Sequence, residues 1–589
     1  MVESWRDPAV RRGWMLAACV AASLITWPGA QALGATAPPL ESQGTIAAPQ
    51  EAGTDGLADV AADGSILIAA EPATVQGRMD QGALFVFAKS PTGGWPQATQ
   101  VATLTASDGA PQTFLGDFLG RTAIAGSTVA ATASLASPSN ASDVLDVFEQ
   151  PAGGWSDTSH QSAELNPATT TGCQTLGGVS VLGDNVFVGC VQDLQQATGL
   201  APSGSLLEFT RPSSGWSDAA SQSATLVAPT GRMLGADVAP VNNAGDVFAA
   251  SVSSSFDLGA PHAFRAFRSR LPAVYGFRQP AAGWSGQVGA STVLRLPADA
   301  SVAALASSGN NVFVATLTVK QFQGEATPGV PVVYVFTKPR HGWARTVAAS
   351  ARLTAPFSQS RPAVTLSAVG TKVVLSDTDL SEVGFQSQSS QQLATFTEPV
   401  HGWYGTVAPT ATAARGVFTS GAATSDGATI FATDDTNVDL FGVPDDRSAA
   451  HLTAPTATGS GSGLRAGQPR LRLRIATQAF QPAATSLTLA LPSGLSFGPT
   501  RAARSGAVTV DGRHGAPTHV SRRQLTLALP DAKPVNTVVI GPGALRFSTS
   551  LRAAAQRAGR GHPLHRRWTV TIATEAGSRT TRKITAILH

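Results

Sequence analysis

The sequence predicts an all-β fold: a seven-bladed β-propeller followed by a small basic β-sandwich domain of immunoglobulin-like type. Three observations predict it: a tryptophan-ending segment that recurs at nearly constant spacing, a second repeated series of turn glycines, and a change of composition and charge near residue 460. The 589 residues are more than one hydrophobic core usually serves. With 43% hydrophobic and 13% charged residues, the chain is too apolar for intrinsic disorder.

The first series is a Pro-x-x-Gly-Trp segment that occurs six times, with tryptophan spacings of 60, 61, 68, 59 and 60 residues. A long fixed period is typical of architectures in which each repeat is one supersecondary unit. Because the tryptophan recurs in the same turn of each unit, we expect it to pack one unit against the next rather than to stack on sugars. The six are Trp95, Trp155, Trp216, Trp284, Trp343 and Trp403.

The second series is a turn glycine placed just before a Val/Ile-rich run, and it extends the count to seven units. The seventh unit lacks the tryptophan but keeps apolar runs at 430–432, 438–441 and 452–455. The glycines are Gly64, Gly126, Gly183, Gly245, Gly309, Gly370 and Gly427.

One unit divides into four short strands, which in the first unit are expected at 57–62, 66–69, 83–87 and 101–105. The runs are rich in β-branched residues and bounded by turn residues, as strands are. Seven such units closed into a ring leave few exposed strand edges, which favours a propeller over residues 45–455. A linear β-solenoid is the alternative, although units of about 60 residues are long for it.

The repeats resemble the FG-GAP family, the blades of integrin-α-like propellers, in its bacterial exported form. The stretch at 182–189 is similar to the family's GD-x-V-x-VG strand pair, 117–120 stands at its Phe-Gly pair, and 334–343 resembles the strand and turn before the next blade. The resemblance covers residues 45–456 and implies propeller blades. Many such blades hold calcium in an Asp-x-Asp-x-Asp-Gly loop, which this sequence lacks.

No metal site and no cofactor are predicted. Calcium takes six to eight oxygen ligands, usually from several neighbouring carboxylates. The nearest candidates are interpreted as a solvated acidic loop of the last unit: Asp434, Asp435, Asp439, Asp445 and Asp446.

The N-terminus predicts export. Arg11 and Arg12 precede an apolar run at 14–27, and Ala30-Gln31-Ala32 offers a cleavage site, so residues 1–32 are expected to be a signal peptide and 33–44 a linker. The run is shorter than the ~20 residues of a spanning helix, so no transmembrane span is expected in the mature chain. General secretion and twin-arginine export both stay open. Lipidation at Cys19 is not favoured, because cleavage there would leave an apolar stretch of only five residues.

The mature chain keeps two cysteines, Cys173 and Cys190. An even pair in a secreted protein predicts a disulfide, and two buried free thiols are the alternative.

Residues 456–463 are rich in Gly, Ser and Thr and are expected to form a flexible linker to a basic domain at 464–589. From 463 to the end, 19 Lys/Arg face 3 Asp/Glu, which leaves 22 against 35 in the rest of the chain, given totals of 41 and 38. Arg470, Arg472 and Arg474 alternate along a strand and so share one face, and Arg566 and Arg567 add charge nearby.

Docking on the acidic propeller, or charge that serves solubility, is the favoured interpretation of this charge. Binding to an anionic cell-wall polymer or surface polysaccharide, rather than to nucleic acid, is the other interpretation.

One loop, at 253–272, accounts for the 68-residue spacing. Arginine and aromatic side chains on a loop are typical of binding surfaces, whereas a tolerated insertion is the other interpretation. Its candidate ligand-binding residues are His262, Phe264, Arg265, Phe267, Arg268 and Arg270.

No zinc-protease motif or phosphate loop occurs in the sequence, and no catalytic residue is predicted. The expected function is a non-catalytic, secreted binding or adhesion module that presents propeller loops to a protein or glycan at the cell surface. The alternatives are a structural envelope protein without a specific ligand, and a polysaccharide-active enzyme with a dispersed site.

Overall fold

The fold was established from a computed structural model. It describes residues 37–47, 57–71, 81–107, 115, 122–135, 142–167, 173, 175–192, 203–229, 233–234, 241–243, 245–252, 273–298, 300–322, 325–357, 362–379, 389–417, 421–434, 437–463, 466–498, 507–515, 517–529, 533–558 and 564–588. The expected signal peptide and the loop at 253–272, with its six candidate residues, lie outside these ranges. All of the described residues belong to one compact unit, Ala37–His589. None of their helices is long and apolar enough to cross a membrane.

The described residues between 42 and 451 form seven sheets, named sheet 1 to sheet 7 in chain order. The N-terminal strand and those of the first three units are β1 (Ser42–Ala47), β2 (Asp59–Asp63), β3 (Ile66–Glu71), β4 (Ala83–Ser90), β5 (Gly94–Thr105), β6 (Thr122–Ala125), β7 (Thr128–Leu135), β8 (Ser142–Glu149), β9 (Asp157–His160), β10 (Ala163–Leu165), β11 (Thr175–Leu182), β12 (Asn185–Gln192), β13 (Ser203–Thr210) and β14 (Ala224–Val227).

The remaining units follow the same plan. Their strands are β15 (Met233–Leu234), β16 (Val241–Asn243), β17 (Asp246–Val252), β18 (Ala273–Arg278), β19 (Gly286–Gly289), β20 (Thr292–Arg295), β21 (Ala300–Ser308), β22 (Asn311–Phe322), β23 (Glu325–Pro328), β24 (Val332–Thr337), β25 (Thr346–Ala348), β26 (Ala351–Thr354), β27 (Pro362–Val369), β28 (Lys372–Asp379), β29 (Ser389–Thr397), β30 (Gly405–Val407), β31 (Ala411–Val417), β32 (Ala423–Ser425), β33 (Thr429–Thr433), β34 (Asn437–Gly442) and β35 (Ala450–His451).

Each sheet is an antiparallel meander whose first hairpin turns at one of the seven predicted glycines. The hydrogen-bonded orders are β2-β3-β4-β5 in sheet 1, β6-β7-β8-β10 in sheet 2, β11-β12-β13-β14 in sheet 3, β15-β17-β18-β20 with β16 in sheet 4, β21-β22-β24-β26 in sheet 5, β27-β28-β29-β31 in sheet 6, and β32-β33-β34-β1 in sheet 7. All seven turn glycines have positive φ, from 57° to 91°. Glycine adopts this conformation without the steric cost that a Cβ would bring.

Sheet 7 takes its fourth strand from the other end of the chain. Strand β1 pairs antiparallel with β34, with Thr45 opposite Asp439 and Ile46 opposite Val438. This corrects the expected linker at 33–44, because residues 42–44 belong to a strand, and the apolar run at 452–455 forms no strand. The short β35 pairs instead with β30, at the edge of sheet 5.

Neighbouring sheets contact one another in chain order, most of them through their first strands. β2 contacts β6, β6 contacts β11, β21 contacts β27, β27 contacts β32, and β32 returns to β2. Sheet 4 contacts sheet 3 through β15 against β12 and β13, and it contacts sheet 5 through β16 and β17 against β21. Because the last sheet contacts the first and also contains the N-terminal strand, the series closes on itself. The predicted propeller is therefore confirmed as the fold of this region.

The apolar core of the propeller is divided into clusters that lie between successive sheets. The six turn tryptophans each belong to one cluster and are 8% exposed or less. Four of them pack edge-on against a phenylalanine of the preceding sheet. For example, the ring centroid of Trp343, in the turn of the fifth unit, lies 4.8 Å from that of Phe248 in sheet 4. The tryptophans are thus core residues, as predicted, and offer no face for stacking on sugars.

The segment after several of these tryptophans also joins the preceding sheet. β9, β19, β25 and β30 pair in parallel with the last strands of sheets 1, 3, 4 and 5. In each of the turns that begin at Pro151, Pro212, Pro280, Pro339 and Pro399, the glycine N–H donates to the proline carbonyl at 2.9 to 3.0 Å. The repeated motif therefore both turns the chain and connects one sheet to the next.

Within the cluster between sheets 2 and 3, Cys173 and Cys190 form a disulfide with a Cα–Cα distance of 5.5 Å.

The C-terminal domain begins at residue 456. Its elements are β36 (Thr456–Ser462), β37 (Arg470–Ala476), β38 (Ala484–Ala490), β39 (Leu495–Phe497), β40 (Val508–Val510), β41 (Arg513–His514), β42 (Pro517–Val520), β43 (Gln524–Ala528), β44 (Val535–Ile540), β45 (Leu545–Phe547), α1 (Thr549–Arg557), β46 (Leu564–Thr574) and β47 (Arg579–Leu588). The expected linker at 456–463 is thus a strand, β36, which lies between β37 and β47 in the sheet. Small residues suit this place, because a Cβ on Gly459 would come within 3.0 Å of both Ile584 and Leu473.

Ten strands of this domain form one hydrogen-bonded path, in the order β41-β40-β44-β37-β36-β47-β46-β38-β43-β42, and β39 pairs with β45. Residues near both ends of the path, such as Val508 and Leu527, share one core with Trp568. The sheet therefore bends around a single core. An immunoglobulin-like sandwich has two separate sheets, and the connectivity of this domain differs from that. The immunoglobulin-like type of the domain therefore stays a prediction.

The two domains meet at the loop after β37. The ring of Phe480 lies 5.9 Å from that of Tyr334, and the guanidinium of Arg352 lies 5.8 Å from the Phe480 ring. The hydroxyl of Tyr404 donates to Glu575 at 3.4 Å, and burial, reinforced by Glu575, raises the pKa of Tyr404 to about 12. Aromatic packing and hydrogen bonds hold this joint together.

Candidate anion-binding face

The strand β37 places three arginines in a row on the outer face of the C-terminal sheet. Leu471, Leu473 and Ile475 are buried in the core, and the residues between them point the other way because side chains alternate along a strand. The three exposed side chains are the predicted Arg470, Arg472 and Arg474.

A row of hydroxyl groups lies beside the arginines, one strand away. In the register of β36 against β37, Ser462 stands opposite Arg470, Ser460 opposite Arg472, and Thr458 opposite Arg474. All three hydroxyl-bearing residues are exposed. Directly opposite residues of an antiparallel pair have Cβ atoms about 4.5–5.5 Å apart, so each arginine stem has a hydroxyl as its neighbour. This hydroxyl row was missed at the sequence level because 456–463 was interpreted as a linker.

The second predicted pair of arginines is split by the same alternation. Arg567 and His565 are exposed on β46, whereas Arg566 is half-buried, points the other way, and donates to the carbonyl of His565 at 3.2 Å. β46 is separated from β37 by β36 and β47, and β47 adds the exposed Lys583. Four of the five predicted arginines therefore share the outer face, at two places three strands apart.

These cations have no anionic partner among the residues that the structure describes. The ion pairs found there include none of Arg470, Arg472, Arg474 and Arg567. Among the described residues, the carboxylate that the strand register places nearest to the row is Asp511. Thr537 on the neighbouring strand lies between it and Arg474. Asp511 is already engaged, because it accepts from the Thr537 N–H at 2.7 Å and lies 3.7 Å from Lys533.

The acidic residues considered for calcium do not assemble into a metal site. Arg415 forms ion pairs with Asp434 and Asp439, and Asp445 lies apart from them, bound to Lys372 at 2.8 Å. Asp435 lies outside the described residues. In the part of the chain that the structure describes, no group of three or more metal-ligating side chains comes together.

A charged cleft of about 320 Å³ lies on sheet 6, where the turn at Pro399 meets residues 445–447. Burial raises the pKa of Glu398, an effect that Arg447 opposes, and the hydrogen bond from Lys372 lowers the pKa of Asp445. The cleft therefore contains two basic and two acidic side chains that offset one another, so the cleft has no preference for an anion or a cation.

Comparison with family models and with curated proteins returns no match for this chain. Three solved structures are similar to it in fold. They are the β-propeller domain of the Trilobed protease from Pyrococcus furiosus (7% identity, TM-score 0.33, 69% of this chain and 96% of that chain), the α-L-arabinanase of Cellvibrio cellulosa complexed with arabinohexaose (9%, 0.25, 48% and 92%), and the acylaminoacyl peptidase of Pyrococcus horikoshii (8%, 0.34, 72% and 57%).

These neighbours correct the expectation of a non-catalytic binding and adhesion module, because they are enzymes or domains of enzymes. The prediction that the chain is not an enzyme has no support from them either. The physical reason for the error is that propeller catalytic residues can come from different loops, so that the absence of a compact motif says little about activity. The likeness itself transfers no activity to this chain.

Proposed function

We propose that the C-terminal domain binds an anionic polymer through its outer face, with the row Arg470, Arg472 and Arg474 as the main contact. The observation that carries this proposal is the exposure of three aligned guanidinium groups without any described ion-pair partner. Guanidinium groups bind carboxylates and phosphates through two parallel hydrogen bonds, and they stay charged at every physiological pH. A row of them along a strand suits an extended polymer better than a single small anion.

The alternative account of this charge was docking on the acidic propeller. The joint between the domains instead uses Phe480, Tyr334 and the Tyr404–Glu575 hydrogen bond. The arginine row takes no part in it and stays exposed, which supports binding to another molecule.

For the propeller, we propose that the seven sheets are seven blades, that they are related to the FG-GAP repeats, and that the protein is exported. The closed order of sheet contacts supports the blade number. The Cys173–Cys190 disulfide supports export, because disulfides persist mainly in oxidising compartments. The polymer would then be a component of the cell surface.

The test measures binding of the full chain to immobilised polygalacturonate over a salt series. The variant R470Q/R472Q/R474Q removes the row, and R522Q/R523Q/R552Q removes the same charge from exposed positions elsewhere on the domain. We expect the row variant to bind at least 30-fold more weakly at low salt. Its slope of log affinity against log salt should also fall by about 2, because each lost contact to a flexible polyanion contributes about 0.7.

Equal losses in the two triple variants would show that net charge, and not the row, drives the association. Absence of binding at low salt would overturn the proposal and favour the interpretation of the charge as a contribution to solubility.

A further inference from the structure

The arginines of the row on β37 are evenly spaced. Arg470, Arg472 and Arg474 are each two residues apart, which on a strand is about 6.7 Å. Each is matched across the sheet by a hydroxyl of β36, so the unit of one guanidinium and one hydroxyl occurs three times in a line. A surface that binds by net charge alone does not need this regularity.

Building on the proposed function, we propose that the ligand of this face is a linear polyol-phosphate polymer, bound along β37 with one phosphodiester at each guanidinium–hydroxyl unit. The periods correspond. Two residues of strand contain six backbone atoms, and a three-carbon polyol phosphate also contains six per repeat: one phosphorus, two ester oxygens and three carbons. Three successive phosphates of an extended chain can therefore meet three successive arginines.

The pairing of a guanidinium with a hydroxyl favours phosphate over carboxylate. A guanidinium engages two oxygens of its partner in a bidentate pair, and in a carboxylate the lone pairs that remain lie in the plane of that pair. A phosphodiester is tetrahedral, so it presents further oxygen lone pairs outside that plane, where a hydroxyl on the neighbouring strand can donate. Ser460, Ser462 and Thr458 supply that donor.

A single-stranded nucleic acid has the same six-atom spacing between phosphates, but the arginine row lacks what such a ligand uses. Proteins bind single strands by stacking bases on exposed aromatic side chains. β36 and β37 contain no aromatic residue, and on β46, three strands from the row, Trp568 is 1% exposed and only His565 offers an exposed ring. The observations therefore favour the polyol polymer.

The test compares the full chain's affinity for four labelled polymers with equal numbers of charges: poly(glycerol phosphate), with six backbone atoms per charge; poly(ribitol phosphate), with eight; polygalacturonate; and single-stranded oligothymidylate. We expect poly(glycerol phosphate) to bind at least 10-fold more tightly than the other three. The S460A variant should weaken poly(glycerol phosphate) about threefold and leave polygalacturonate within 1.5-fold. Because Ser460 is exposed, its replacement is not expected to disturb folding.

The outcomes separate this inference from the function on which it rests. Equal affinity for all four polymers, lost on removing the arginine row, would overturn the phosphate register and leave polyanion binding in place. Tightest binding of oligothymidylate would replace the polyol polymer with nucleic acid. Failure of all four to bind would overturn both proposals.

Discussion

The propeller and the C-terminal domain both join the beginning of their chain segment to its end, but they arrange their apolar cores differently. Each pairs its first strand with a late one, β1 with β34 in the propeller and β36 with β47 in the C-terminal domain. The propeller then divides its apolar residues among clusters between sheets, whereas the C-terminal domain places them in one cluster around Trp568. Loss of one contact should therefore be local in the first region and global in the second.

The two regions also treat charge differently. In the propeller, Asp246 binds both Arg278 and Lys338, and Asp426 binds Lys89 and accepts from the indole of Trp95 at 2.8 Å. In the C-terminal domain, the arginine row has no described partner. Paired charges of the first kind position sheets against one another, and unpaired charges of the second kind remain available for a ligand.

The largest effect is expected from the boundary of the C-terminal domain. A fragment of residues 456–589 should unfold in one cooperative thermal transition, whereas 464–589 should show none, because it lacks the strand between β37 and β47. Circular dichroism of the two fragments measures the difference. Cooperative unfolding of the shorter fragment would mean that β36 is dispensable and that the linker interpretation was the better one.

The next effect tests whether the propeller's core is local. W343A should lower the free energy of unfolding by about 3 to 5 kcal/mol, because a large buried ring is lost from the cluster between sheets 4 and 5. W343F should cost less, since the indole N–H has no partner among the described residues. Urea unfolding measures both changes.

Hydrogen exchange on W343A distinguishes a local core from a shared one. Protection should fall in β17, β18, β22 and β24, and the C-terminal domain should keep its protection. Equal loss across both domains would show that the two cores unfold as one unit, contrary to the comparison.

The features that could be predicted from the sequence are local and repeated. The hairpin glycines and turn tryptophans recur at fixed spacing, so that their turns and packing follow from each unit by itself. The pairing of β1 with β34 joins residues almost 400 positions apart and leaves no periodic signal. Strand β36 was missed because Gly, Ser and Thr are typical of linkers, although here small residues fit beneath Ile584.

The candidate site divides in the same way. Alternation along one strand predicted that Arg470, Arg472 and Arg474 share a face. The hydroxyl row beside them depends on the register between two strands, which no single segment specifies. Arg566 and Arg567 were expected to act together, but neighbouring residues on a strand point to opposite faces.

The smallest effect concerns Glu208, which departs from the propeller's pattern of paired charges. Its side chain is fully buried on β13, one oxygen accepts from the Thr210 hydroxyl at 2.6 Å, and the other has no hydrogen-bond partner among the described residues. Burial raises the pKa of Glu208 to about 7 from its ordinary value of 4.5, although the Thr210 hydrogen bond opposes the shift. Between these two values the folded protein binds more protons than the unfolded chain, so the free energy of unfolding falls as pH rises through this window.

The E208Q variant keeps an acceptor for Thr210 and removes the buried charge. At pH 8 it should be more stable than the unaltered protein by about 2 to 3 kcal/mol, because a carboxylate is no longer desolvated. At pH 4 the two should be equal within error, because Glu208 is then protonated in both the folded and the unfolded chain for most molecules. Urea unfolding at the two pH values measures the difference. A gain of the same size at both would assign it to packing rather than to ionisation, and Glu208 would no longer be an exception to the pairing of charges in the propeller.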